Sequence, residues 1–151
     1  MEKDFFPAGS LGDVLGQTWL AETLGFLIQR KSSLITLAHP FCPSYASALE
    51  KPYLDRLKTQ FSELSFFRFQ KPFLSQGLFL SSGGLAGLML KEKGRMFLSF
   101  QNPLMRQSYA PQSFEILQDS EEALFSPQGS YSLIFYPSSV LLPEFLPAFS
   151  R

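Results

Sequence analysis

Histidine and cysteine are almost missing from this sequence: of its 151 residues one is a histidine, His39, and one a cysteine, Cys42. A lone cysteine closes no internal disulfide, so no covalent framework is expected, and a reducing, cytoplasmic setting is the natural reading. Zinc sites take three or four Cys, His or carboxylate ligands, and here the soft ligands run out at two. The two-histidine facial triad of non-haem iron enzymes is excluded in its standard form. Net charge is missing as well, because thirteen Lys and Arg balance thirteen Asp and Glu. No global field therefore draws the chain to nucleic acid or to an anionic membrane, although Lys91, Lys93 and Arg95 form a local basic cluster. Long apolar runs are absent near the start: residues 24–28 fall far short of the roughly 20 needed to cross a bilayer. The mixed-charge opening Met1-Glu2-Lys3-Asp4 leads into no signal-like apolar segment.

What the chain does have is apolar bulk, 45% of its residues with seventeen Phe among them. Such a length and composition fit one domain over residues 1–151 with one core. Ser10 and Asp13 have the form of a capping box, and Leu11, Val14, Leu15 and Thr18 recur at helical spacing, which predicts a helix over 11–24. The glycines at 12, 16 and 25 weaken it, so packing around Trp19 must support it. Residues 33–38 read as a buried strand. Pro52 suits a first helical turn, and Leu54, Leu57, Phe61 and Leu64 then form one apolar stripe.

From residue 66 onward the texture becomes one of short strand-forming runs, at 66–69, 77–80, 95–100, 114–117 and 130–136, separated by Gly, Pro, Asn and Ser. Lys91-Glu92-Lys93-Gly94 reads as a hairpin turn, and the segment from Pro137 onward as cover for a sheet edge. Helices followed by strands give an α+β class: N-terminal helices backing an antiparallel β-sandwich or double-stranded β-helix, or else an open antiparallel sheet with helices on one face.

Three constellations could carry chemistry. In "LAHPFCPSY", His39 and Cys42 could form a nucleophile and base, but Pro40 holds His39 extended, and an odd spacing in an extended chain sends the two side chains to opposite faces. An apolar cysteine and a hydrogen-bonded histidine at a strand end is the preferred reading, so His39→Ala should affect stability more than activity. The stretch Ser81-Ser82-Gly83-Gly84-Leu85-Ala86-Gly87 could cradle phosphate if a helix follows it, yet it lacks the dinucleotide spacing and any P-loop lysine, and reads as a plain turn. The third is Arg106-Gln107-Ser108.

Arg106 and Ser108, near the end of a β-rich chain, resemble the co-substrate anchor of the non-haem Fe(II), 2-oxoglutarate-dependent oxygenases, where the arginine grips a carboxylate. The helices-then-strands layout resembles that family's double-stranded β-helix. Only Arg106 and Ser108 match its pattern, and the iron ligands are missing, so the resemblance implies a degenerate relative that holds neither Fe(II) nor 2-oxoglutarate. The Phe-, Leu- and Ser-rich texture with "MEKDFFPAGS" at its start also looks like small uncharacterised proteins of chlamydial bacteria. The expectation is a non-enzymatic binding domain for a small molecule or protein, with no catalytic residue and no metal. Two alternatives stand beside it: a carboxylate-binding enzyme using Arg106 in the barrel mouth, and a metal-responsive transcriptional regulator.

Overall fold

A computed structural model of the chain describes residues 9–30, 35–39, 42–100, 103–109, 116–118 and 132–135, the stretch 116–118 by its backbone. Helix α1 spans Leu11–Arg30. It starts as the capping pattern dictates, with Asp13 N donating to Ser10 Oγ at 3.4 Å, while the Asp13 carboxylate reaches back to accept from Gly9 N at 3.0 Å. Val14, Gln17, Leu20, Ala21 and Leu24 are its buried side, and Leu27 and Ile28 pack against the same core, which carries the helix beyond the expected end at 24. The opposite face leaves Leu11, Leu15, Trp19 and Phe26 exposed.

Strand β1 (Ile35–His39) follows, then β2 (Ala46–Ala48) and helix α2 (Lys51–Gln60), which has Pro52 in its first turn. Of the α2 stripe Leu57 is fully buried, and Leu54, Phe61 and Leu64 pack on the core from its margin. Residues 66–69, expected as strand, belong instead to the start of helix α3 (Phe67–Leu74). Aromatic strand propensity misleads here because the apolar spacing continues as Phe66, Phe69, Phe73 and Leu74, a helical period. Buried Gln70 on α3 serves β3 (Leu78–Leu80): its amide accepts from Leu80 N at 2.8 Å and donates to Leu80 O at 2.7 Å. Gln17 of α1 joins this network, accepting from Gln70 Nε2 at 2.7 Å and donating to Leu80 O at 2.9 Å.

Helix α4 (Ser82–Leu90) and a 3-10 turn (Lys91–Lys93) lead into β4 (Gly94–Leu98), so residues 91–94 join a helix to a strand and not two strands of a hairpin. The positive φ falls on Lys91, at 48°, while Gly94 is extended at −161°. Gly94 is required for another reason: a Cβ there would stand 2.8 Å from the Ile35 carbonyl of the neighbouring strand. Helix α5 (Pro103–Gln107), β5 (Ile116–Gln118) and β6 (Leu133–Ile134) complete the described elements. The segment from Pro137 onward, expected to cover a sheet edge, lies outside the described residues.

The main sheet has the order β5-β4-β1-β6, and every pairing in it is parallel. Register places Ile35 opposite Gly94, His39 opposite Leu98, Leu37 opposite Leu133 and Met96 opposite Ile116. Among the described residues only β2 and β3 pair antiparallel, as a two-stranded ribbon. The class remains a mixture of helix and strand, but the expected antiparallel sandwich or double-stranded β-helix is corrected to a parallel sheet with helices. The physical reason is the connection: β1 reaches β4 through α2, α3 and α4, the long crossover that parallel neighbours need. Ile35, Leu37 and Ala38 are each 1% exposed or less, the burial of a strand covered on both faces.

Candidate functional site

Counted in chain order, the four described strands of the parallel sheet lie third, second, first, fourth, an order that reverses after the first strand as it does in open doubly wound sheets. In such sheets ligands sit outside the carboxyl ends of the strands, at the point where the order reverses. That point lies between β1 and β6. His39 ends β1, Phe135 follows β6, and Phe135 N donates to Ala38 O at 2.9 Å, which extends the pairing by one step. Their rings meet edge to face, 5.1 Å between centroids at 65°. Phe135 also stacks on Trp19 of α1 at 6.2 Å.

The neighbouring carboxyl end belongs to β4. Ser99 N donates to His39 O at 3.4 Å, and Ser99 O accepts from Cys42 N at 2.8 Å, which holds Cys42 beside the end of β4. From the other side comes the start of α4, capped by Ser81, whose Oγ accepts from Gly84 N at 3.1 Å. The neighbouring Ser82 Oγ lies 2.7 Å from His39 Nε2.

Tyr109, just past α5, fills what remains. Its hydroxyl donates to Pro43 O at 2.9 Å and lies 3.1 Å from Ser81 Oγ and 3.2 Å from Cys42 Sγ. With its single proton directed to Pro43, the phenol accepts from the thiol and from the serine. Its ring stands against Tyr45 at 5.6 Å and 80°, and against Phe100 at 5.4 Å and 53°. Gly83 has to be glycine, since a Cβ would collide with the Tyr109 hydroxyl and lie 2.5 Å from Cys42 Sγ.

The whole assembly is sealed. His39 and Cys42 are 0% exposed, Tyr109 3%, Ser81 and Ser82 7% each. Among the described residues no buried side-chain nitrogen or oxygen lacks a partner. Burial pushes the Cys42 thiol up to about 12 and holds the Tyr109 phenol well above its ordinary range. At neutral pH both keep their protons, and a protonated thiol is not a nucleophile.

His39 thus pairs with Ser82, and Cys42 with Tyr109. Arg106 is exposed on α5, where its carbonyl accepts from Tyr109 N at 3.1 Å. Ser108 is half-buried, accepting from Tyr45 N at 2.8 Å and donating to Met105 O at 2.5 Å. Tyr109 and Phe135 were not singled out from sequence, and Ser82 entered only as part of the glycine-rich stretch 81–87. For Ser82 a signal existed, since Ser-Ser-Gly-Gly ahead of an apolar run is a helix N-terminus and not the plain turn expected. Among the described residues no three His, Cys, Asp or Glu side chains are grouped to hold a metal. No helix among them is long and apolar enough to cross a membrane.

No family model matches the chain, and no curated protein matches it. The fold has a solved counterpart. A crystal structure of a protein from Legionella pneumophila, described under the family model DUF519, matches with a TM-score of 0.63 at 13% identity, covering 78% of this chain and 51% of that one. The present chain spans about half the length of that protein. At this identity the likeness is one of fold. It corrects the resemblance drawn from sequence, a chlamydial-type protein on a degenerate oxygenase scaffold: the structural neighbour is a Legionella protein, and the sheet is parallel where an oxygenase β-helix is antiparallel. The reason for placing a carboxylate on Arg106 in a barrel mouth goes with that scaffold.

Proposed function

We propose that this chain is a non-enzymatic binding domain on a doubly wound scaffold whose usual ligand crevice is filled by its own side chains. The observation that carries the reading is the Tyr109 plug. A buried phenol, a protonated thiol and a capping serine occupy the carboxyl edge of the sheet, each with its hydrogen bonds made. A reactive site needs a group that can meet a substrate. These groups meet one another. Partner and ligand classes that depend on a strong field or a metal cluster find no support in the balanced charge or in the ligand inventory.

The test is thermal unfolding with adenine mononucleotides and dinucleotides, the ligands such sheets hold where the strand order reverses. An unchanged midpoint is expected. A rise of several degrees at millimolar ligand would overturn the reading, because any ligand selective for the native state must raise the midpoint.

One arrangement favours a second reading, acyl transfer by Ser82 with His39 as base, since their 2.7 Å separation is that of a nucleophile and its base. Against it stand the burial of both residues and the packing of the Phe135 ring on the imidazole. A fluorophosphonate probe decides: the expected outcome is no adduct, and an adduct on Ser82 that vanishes in Ser82→Ala would establish the enzyme.

A further inference from the structure

We infer that residues 103–109 form a strap whose Tyr109 ring is a built-in occupant of the crevice, and that this strap opens locally to expose a slot for a planar ring bearing a hydroxyl group. The inference rests on reading the crevice as closed by the protein's own side chains, and it adds a ligand class and the device that controls access.

The slot has the make-up of a small-molecule site. Its walls are the rings of Tyr45 and Phe100, and at its end converge three polar groups, the Pro43 carbonyl, the Ser81 hydroxyl and the Cys42 thiol. Apolar walls with a few convergent polar atoms are what fix the orientation of a bound ring. Gly83 supplies the floor, and the phenol leaves no room there even for a methyl group. A ring with a hydroxyl on it is thus the shape and chemistry that this space accepts.

The strap itself is unevenly held. Helix α5 buries none of its side chains, and Leu104 is 74% exposed, whereas Tyr109 at its end is 3% exposed. Ser108 ties the strap to the segment before β2 through Tyr45 N, and Tyr109 ties it to Pro43, Ser81 and Cys42. A segment with little buried surface of its own, tied to the core through Ser108 and Tyr109, is the kind that opens at less than the free energy of global unfolding. Opening would cost the plug contacts and leave the parallel sheet intact.

The protein carries its own reporter. Cys42 is the only cysteine, fully buried, with its sulfur against the Tyr109 hydroxyl. The experiment is the labelling rate of Cys42 by a small thiol reagent in increasing urea, below the unfolding transition, for the wild type and for Ser108→Ala and Tyr109→Phe. The expected wild-type rate is nearly independent of urea at low concentration and joins the global unfolding line only near the transition. Each variant, lacking one anchoring hydrogen bond or set of bonds, should label roughly tenfold faster at low urea, the effect of about one such bond. Labelling that follows the urea dependence of global unfolding throughout, in all three proteins, would overturn the strap.

The ligand class has its own arm. Tyr109→Ala should gain several degrees in thermal midpoint from p-cresol and less from toluene, with neither affecting the wild type at the same concentration. Equal effects of p-cresol and toluene, or no effect of either, would overturn the assignment. Failure here is distinct from failure of the closed-crevice reading, which falls on nucleotide stabilisation or on a Ser82 adduct, and neither of those depends on how Cys42 labels.

Discussion

The rings of Phe135 and His39 meet in a T-shaped contact, 5.1 Å between centroids, across the line where the strand order of the parallel sheet reverses. The contact joins the last described strand to the first and closes the crevice from the β6 side. It also links the sheet to α1, because the same ring stacks on Trp19.

Phe135→Ala should therefore destabilise the protein by about 3 kcal/mol, the lower part of the usual range for removing a buried Phe. Urea unfolding measures the loss. Trp19 is the only tryptophan and half-exposed, so its emission should report the loss of the stack directly, and Phe135→Leu should cost less while abolishing the stacking signal equally.

His39 and Ser82 form a buried polar pair, and removing one partner strands the other. His39→Ala should cost about 2 kcal/mol, and Ser82→Ala about 1 kcal/mol, by chemical denaturation. The double substitution should cost less than the two singly added, with a coupling on the order of 1 kcal/mol. Strict additivity would show that the 2.7 Å contact contributes nothing.

Asp13 gives the fold a pH dependence of definite sign. Burial lifts its carboxyl from 3.8 to about 6, against the opposing pull of the Gly9 and Ser10 backbone hydrogen bonds. The native state then holds a proton that the unfolded chain has released, so stability falls as pH rises from about 4 to about 6 and is level above that. Its partial exposure limits the change to about 1–2 kcal/mol. Asp13→Asn should remove this component, and denaturation midpoints at pH 5 and pH 7.5 then differ less than in the wild type.

Two glycines should respond in opposite ways. Gly83→Ala drives a methyl into the Tyr109 hydroxyl and the Cys42 sulfur and should destabilise by about 2–3 kcal/mol, with partial relief when combined with Tyr109→Phe. Gly25→Ala, in the middle of α1 with nothing within 4 Å of the new carbon, should stabilise by about 0.5–1 kcal/mol. Thermal unfolding of the two single variants and the double variant tests all three statements.

Local patterns were readable where the determinants are close in sequence. Ser10 and Asp13 announce the start of α1, Leu54 to Phe61 the face of α2, and residues 33–38 a buried strand near that observed at Ile35–His39. Strand direction was not readable, because Ile35–His39 and Gly94–Leu98 have the same short apolar form whether neighbours run parallel or not. What decides it is the crossover carrying α2 to α4. Once α3 was taken for a strand, the chain lost the helices that make a parallel sheet possible. The crevice was hidden for a different reason: Cys42 meets Tyr109 across 67 residues, and His39 meets Ser82 across 43. No periodicity reports such distances. The lone histidine and cysteine drew notice as scarce residues, whereas the tyrosine that closes the site is one of five and drew none.

The Gln70 amide has a role beyond filling its place in the core. By bonding both the N–H and the C=O of Leu80, it presents to the outer edge of β3 the same donor and acceptor that another strand would bring. The two-stranded ribbon is thereby finished at that residue, and an incoming chain finds no open backbone groups there to template on. One glutamine, placed at the right turn of α3, acts as a guard against edge-to-edge aggregation in a chain rich enough in phenylalanine to need one.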